Sequence, residues 1–307
     1  MPLIISASPH SNSRFNTPFL MRQVIIALLP ATFACVFFSK YHALFLIANC
    51  ITSAVLTEII ILKIRKKPIV ANDFSAVVTG LLLALILPPT TTWYAAWLGS
   101  IFAIFIGKHL FGGIGFNIFN PALLGRAFLM AAYPKMLTTY IQPFSVDTIS
   151  GATPLALKKF SHIATPTLKL FLGNVSGSLG ETSAICLIVG GLYLLIRKIA
   201  DWRIPLSLLS TIIFISAITY IFKPETGSVF FHLFSGGLLL GAFFMATDPV
   251  TTPVTKTGRY VFGVGCAMLI MVIRYFPGLP EGVMYSILFM NALVPLINKY
   301  TRPKRFA

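Results

Sequence analysis

Ser75-Ala-Val-Val-Thr-Gly-Leu-Leu-Leu-Ala runs into Pro88-Pro89-Thr90, and the reading of this stretch decides the fold. It is apolar, short and closed by proline, which cannot continue a helical ladder. A similar stretch, Leu233-Phe-Ser-Gly-Gly-Leu-Leu-Leu-Gly, runs into Asp248-Pro249-Val250-Thr251. A second pair follows in the same order: Phe119-Asn120-Pro121-Ala122-Leu123, and Phe289-Met290-Asn291-Ala292-Leu293. Short apolar segments ended by proline, at matching places in two halves, point to broken helices around a site at mid-membrane depth. Gly- and Leu-rich helices also look alike by composition alone, and that plainer reading stands beside the repeat.

Working outward, the 307 residues are 56% hydrophobic and 10% charged, with a mean hydropathy of +0.85. No soluble domain of this size needs so much apolar surface. Apolar segments at roughly 19–38, 42–62, 74–88, 93–111, 116–133, 182–196, 204–222, 229–247, 260–276 and 282–298 read as transmembrane helices. The expected fold is all-α, a polytopic membrane protein of about ten helices. Five spans per half would make the two repeats inverted. The chain then divides into an arm (1–18), a first repeat (19–133), a loop (134–181), a second repeat (182–298) and a basic tail (299–307).

The net charge of +16 would suggest nucleic acid on a soluble protein. Here most basic residues lie between apolar segments, so topology and lipid headgroups account for them and nucleic-acid binding is not expected. With the N-terminus in the cytoplasm, only Lys40, Lys135, Lys158, Lys159, Lys169, Lys223 and Arg274 fall on the far side, with Arg126 inside a span. Most of those seven sit in the long loop, which weighs less. Both termini are therefore expected in the cytoplasm and 134–181 outside. The polar start, Met1 to Asn16, does not read as a cleavable signal. Cys35, Cys50, Cys186 and Cys266 stand singly in apolar segments, which suits buried thiols and indicates neither an iron–sulfur nest nor a zinc site.

Ionisable groups inside spans are costly. Glu58 is expected to pair with Lys63 or to snorkel. Asp73 and Asp248 close matching short segments and are candidates for an ion pathway, helix-end roles being the alternative. Arg126 must pair with a neighbour or reach water. Asn117 and Asn120, three apart where a helix begins, could cap it or bind a planar heterocycle. Ser176 and Ser178, in the Gly/Ser-rich run before the sixth segment, could offer backbone N–H groups to an anion or form a flexible loop.

Asp147-Thr148-Ile149-Ser150-Gly151-Ala152-Thr153-Pro154-Leu155 lies in the one long polar interval. Gly151 and Ala152 leave room for a large group to approach the backbone. Thr153 offers a hydroxyl for modification and Asp147 a carboxylate. A turn closed by Ser and Asp side chains is the plainer reading.

The run Asp147-x-x-Ser150-Gly151-Ala152-Thr153 resembles a flavinylation signature in which FMN is joined through its phosphate to the last hydroxyl. Gly107 to Phe128, Gly177-Ser-Leu-Gly-Glu181, Phe243 to Thr251, Pro280-Glu-Gly-Val283 and Asn298-Lys-Tyr-Thr-Arg-Pro303 agree with it. Together they resemble the RnfD family, membrane components of the Rnf electron-transport complex. That family is related to the NqrB component of the sodium-pumping NADH:quinone oxidoreductase. The short N-terminal arm and Tyr300-Thr-Arg-Pro303 favour the Rnf branch, and Phe74 stands where a smaller residue is expected.

The resemblance implies covalent FMN on Thr153 and a non-covalent riboflavin near Asn117 and Asn120. It implies partners: flavin and iron–sulfur subunits of the complex, and a flavin transferase. It implies a bacterial inner membrane, and electron flow between ferredoxin and NAD coupled to Na+ or H+ movement. No complete active site is expected in this chain alone. A non-redox channel or transporter of the same build is the other reading.

Overall fold

Proline, glycine and asparagine place the helix ends. The computed structural model describes residues 16–67, 73–141, 143, 150–161, 165–276 and 281–302. Asp147 lies outside them, and of Ser150 only the backbone is described. The described residues are all-helical apart from a ladder of two residues per strand, and a helix lies in each apolar segment read from the sequence. The first two segments are one assigned helix, α1 (Thr17–Ile64), which Lys40 breaks at φ 48°, ψ −129°. Unbroken, 48 residues would reach about 72 Å, more than twice the roughly 30 Å hydrocarbon core.

α2 (Ser75–Ile86) stops before Pro88. α3 (Trp93–Ile104) widens into a π turn at Phe105–His109. α4 (Pro121–Ala132) begins only at Pro121, so 116–120 is not helical as the segment boundaries suggested. Gly112, Gly113 and Gly115 all hold positive φ there, and proline fits the first helical position. The short α5 (Pro134–Leu137) and β1 (Tyr140–Ile141) follow. β2 (Ser150–Gly151) pairs antiparallel with β1 and leads into α6 (Pro154–Ser161) and α7 (Thr167–Leu172).

The second half holds α8 (Ala184–Ile196), α9 (Arg203–Phe222), α10 (Val229–Phe234), α11 (Leu238–Leu240), α12 (Lys256–Tyr275) and α13 (Val283–Thr301). α11 continues as a π turn, Gly241–Met245. The bend between α10 and α11 is 48°. Gly236 makes it with a left-handed φ of 69°, and a Cβ there would lie 2.7 Å from Leu155 Cδ1. Arg274 closes the end of α10, donating to His232 O (2.6 Å) and Ser235 O (2.9 Å).

α1, α9 and α12 are long and apolar enough to cross a membrane, and α10 with α11 pass that test across their bend. One core of buried Leu, Ala, Ile and Phe from both halves joins α1, α2, α8 and the Gly241–Met245 turn to α12 and α13. Cys35, Cys50 and Cys266 are fully buried and Cys186 half-buried, as small apolar groups are. A separate cluster, Leu155, Leu170 and Phe231, docks the α6–α7 interval on α10. Burying Leu155 there contributes roughly 2 kcal/mol.

Candidate functional site

Thr153 stands at the junction of β2 and α6. Its Oγ1 accepts from Ala156 N (3.3 Å) and its carbonyl from Leu157 N (2.9 Å), so it caps α6. From Ser150 to Leu155 the backbone is a strand and a helix cap, with Gly151 a strand residue opposite Tyr140; the turn reading falls on Asp147 and the Ser150 side chain, outside the described residues. Thr153 is 2% exposed and Ala152 beside it is exposed.

Thr153 and Ala152 line a cavity of about 1110 Å³ with Arg126, Tyr140, Gly237 and Glu281. Leu123, Met130, Phe160 and Met284 supply apolar wall. Arg126 pairs with Glu281 (Nη2–Oε2, 3.1 Å). Arg126 Nε and Glu281 Oε1 are buried and have no hydrogen-bond partner among the described residues. Orphaned buried polar atoms are uncommon and call for an explanation. Arg126 therefore takes the partner that its cost demanded, and still carries a spare donor.

Asn117 and Asn120 line a different cavity, of about 870 Å³, with Ser75, Lys108, Thr247 and Asp248. Of the two roles open to the asparagines, Asn120 takes the cap: its Oδ1 accepts from Ala122 N (3.0 Å) and Leu123 N (3.3 Å). Asn117 precedes the helix, and its buried Oδ1 has no partner among the described residues. Asn120 Nδ2 reaches Met245 O (3.4 Å). Met245 lines the Thr153 cavity while Phe244 lines this one, so the π turn is the wall between them. Asn291 meets Asn120 at that wall. Its amide is satisfied with the oxygen 3.1 Å from Asn120 N and the nitrogen 3.2 Å from Thr251 O.

Glu58 does not pair with Lys63. Lys108, brought inward by the Phe105–His109 turn, donates to Glu58 Oε1 and to Ser75 Oγ, and His109 Nε2 lies 3.5 Å from the same carboxylate. The sequence separation of 50 residues hid this partner. Asp73 Oδ1 accepts from Ser75 N and Oγ, both 2.9 Å, just ahead of α2. Asp248 accepts from Thr251 Oγ1 (3.1 Å) and Val250 N (3.4 Å). Phe74 has a left-handed backbone (φ 59°) and lies under Arg22, 4.9 Å from its ring centroid. That backbone suits glycine, which is the physical reason to expect a smaller residue there.

Ser176 and Ser178 are buried and line neither cavity described above. Ser178 Oγ donates to Glu181 Oε1 (2.6 Å), and Leu179 N to Leu87 O (3.1 Å), which fixes this run under the end of α2.

Sequence reading gives no role to Tyr140, Lys108 or Glu281. The scarcity of acids is the usable signal for Glu281, since each of eight in so apolar a chain must answer a cation or a ligand.

The family model described as the NQR2, RnfD, RnfE family matches residues 4–307. The chain is 46% identical over 306 residues to a subunit of the Na+-translocating ferredoxin:NAD+ oxidoreductase complex of Acetobacterium woodii, covering 98% of this chain and 94% of that one. It is 44% identical over 318 residues to the counterpart in the proton-translocating complex of Clostridium ljungdahlii (98% and 95%). It is 40% identical over 328 residues to the counterpart in the ion-translocating oxidoreductase complex of Stutzerimonas stutzeri (95% and 93%). The chain belongs to the NQR2, RnfD, RnfE family.

Proposed function

We propose that this chain is the flavin-carrying membrane subunit of an ion-translocating ferredoxin:NAD oxidoreductase, with FMN joined to Thr153 through a phosphoester. The observation that carries the reading is the placement of Thr153 in the wall of a cavity whose Arg126 and Glu281 keep a spare donor and a spare acceptor. The residues fit the group. Leu123, Met130 and Met284 suit the faces of a fused ring. An adjacent donor and acceptor suit an imide edge, which presents both.

Bound there, a flavin supplies one- and two-electron redox chemistry, and the protein sets its position and potential. Thr153 fixes one end, α6 seals the cavity, and Arg126 places positive charge where the ring gains electrons. A second flavin, riboflavin, belongs in the Asn117 cavity, where the free Oδ1 accepts a ring N–H.

The remaining chain forms ten crossings in two inverted five-helix repeats. The meeting of Asn120 with Asn291, one from each of the two similar stretches though one place apart in their pairing, supports that reading. Both termini face the cytoplasm and α6 the outer side of the inner membrane. A tag at residue 165 is expected to label from outside.

The cation is not fixed by likeness, because one relative is named for Na+ and another for protons. Glu58, Asp73 and Asp248 each have internal partners. A path through any of them requires those contacts to open.

The test is the intact mass of the purified chain, co-expressed with a flavin transferase. One added FMN is expected, absent in Thr153→Ala. An unmodified wild-type chain would remove the electron-carrier reading and leave a transporter of the same build.

A further inference from the structure

α6 has two faces. Thr153, Ala156 and Phe160 turn to the cavity already described. Leu155, Lys158 and Lys159 turn to another, of about 750 Å³, whose opposite walls are the ends of α9, α10 and α12. Lys223, His232 and Arg274 meet Lys158 and Lys159 there, against one acid, Glu225. Lys158 and Lys223 have no ion pair among the described residues. Arg274 and His232 are 5% and 3% exposed, and Arg274 Nε and His232 Nδ1 are buried without a hydrogen-bond partner among the described residues. Glu181 and Glu281 lie close enough to act on the charge of Arg274, but neither lines this pocket. Lys159 is engaged with Ile273 O (3.0 Å) and Phe276 O (2.5 Å), which fixes its charge at the rim.

Four cations, Lys158, Lys159, Lys223 and Arg274, in one concavity against one acid focus a positive field that favours an anion. The surroundings narrow the class. Phe222, Phe230 and Phe276, at the ends of the helices that form the pocket, are 80%, 62% and 65% exposed. A phosphate in the pocket would thus sit beside open aromatic surface suited to acyl chains. Basic pockets between transmembrane helices hold anionic headgroups on the cytoplasmic side of membranes, and the same charge chemistry applies to this one, on the face that carries α6.

We propose that this pocket binds a phosphate-bearing anion, with Lys158 and Lys223 as its adjustable contacts and Arg274 as its fixed floor. The proposal is independent of the flavin reading.

The full chain, purified in mild detergent, is titrated separately with phosphatidylglycerol, phosphatidylcholine and inorganic phosphate. Native mass spectrometry and thermal unfolding give the readouts. Phosphatidylglycerol is expected to bind and to raise the melting temperature. Lys158→Ala with Lys223→Ala is expected to weaken that binding by roughly fivefold per lysine, with unchanged lipid-free melting. Lys158→Arg with Lys223→Arg is expected to retain it. Stabilisation by inorganic phosphate, lost in the same Ala pair, identifies a soluble anion as the source. Stabilisation by the lipid alone identifies a headgroup. Wild-type affinity in the double Ala variant, or equal binding of phosphatidylcholine, overturns the proposal. So would an Ala pair that loses only assembly with its partner subunits, because the pocket would then dock an acidic protein segment.

Discussion

The Thr153 cavity and the Asn117 cavity lie back to back across one π turn, and they are built on different principles. The first has the Thr153 hydroxyl, proposed above as a tether point, and a buried Arg126–Glu281 pair left partly unsatisfied. The second has no hydroxyl of that standing. Its charges are spent internally, Lys108 on Glu58 and Ser75, and the orphan it offers is a neutral amide oxygen on Asn117. A tethered group needs few contacts for affinity, so the protein can use its charges to tune it. An untethered group must be held by shape and hydrogen bonds. The difference predicts that damage to the first cavity costs stability and that damage to the second costs occupancy.

The largest effect is expected from Arg126→Ala, which leaves Glu281 buried without its cation. Breaking such a pair costs about 3–5 kcal/mol, visible as a large fall in melting temperature. Adding Glu281→Gln should recover part of the loss, because the two side chains act as one unit. Equal losses in single and double variants would break the comparison.

Next comes Gly236→Ala. It forces a Cβ onto a left-handed backbone and against Leu155, for about 1–3 kcal/mol. It should also disturb α6, lowering Thr153 modification while leaving the Asn117 cavity intact.

Asp201→Asn sharpens the contrast with a pair outside both cavities. Asp201 ties α9 to α12 through Arg203 (2.9 Å) and Arg259. Burial raises its carboxyl, but the Arg203 backbone N–H, the Arg259 guanidinium and the charge of Arg203 outweigh that and leave it below the usual value of 3.8. The contribution is therefore full above about pH 4 and fades as pH falls through the lower, folded-state value. A shift of a few degrees at neutral pH is expected for one partly exposed pair, shrinking in acid.

The smallest stability effect belongs to Asn117→Ala, within about 0.5 kcal/mol. Non-covalent flavin in the extract should drop sharply while Thr153 stays modified. Loss of both together would mean that the cavities are one site.

Much of this was legible in the chain. The apolar segments found their helices because hydropathy over a span-length window is a strong signal. The break at Ser235–Gly237 lies inside a segment read as continuous, 229–247, and α4 begins at Pro121 rather than at 116, because left-handed Gly236 and a proline at the first helical position override hydropathy. The pairings were not legible. Lys108 with Glu58, and Arg126 with Glu281 155 residues on, depend on which helix faces meet, which local pattern does not specify. The role of Asn117 stayed open in the sequence because capping and ligand binding use the same amide, and the structure gives the cap to Asn120.

Thr153 is buried under its own helix, and the proposed attachment there would set an order of events during maturation. An enzyme that must handle the hydroxyl has to arrive before α6 closes on Leu170 and Phe231, or wait for α6 to lift. We expect transferase added to the purified, folded chain to modify less of it than transferase present during synthesis. A polypeptide that closes bare would then be a dead end, and the cell's yield of working subunit would be decided by a race at the ribosome rather than by affinity.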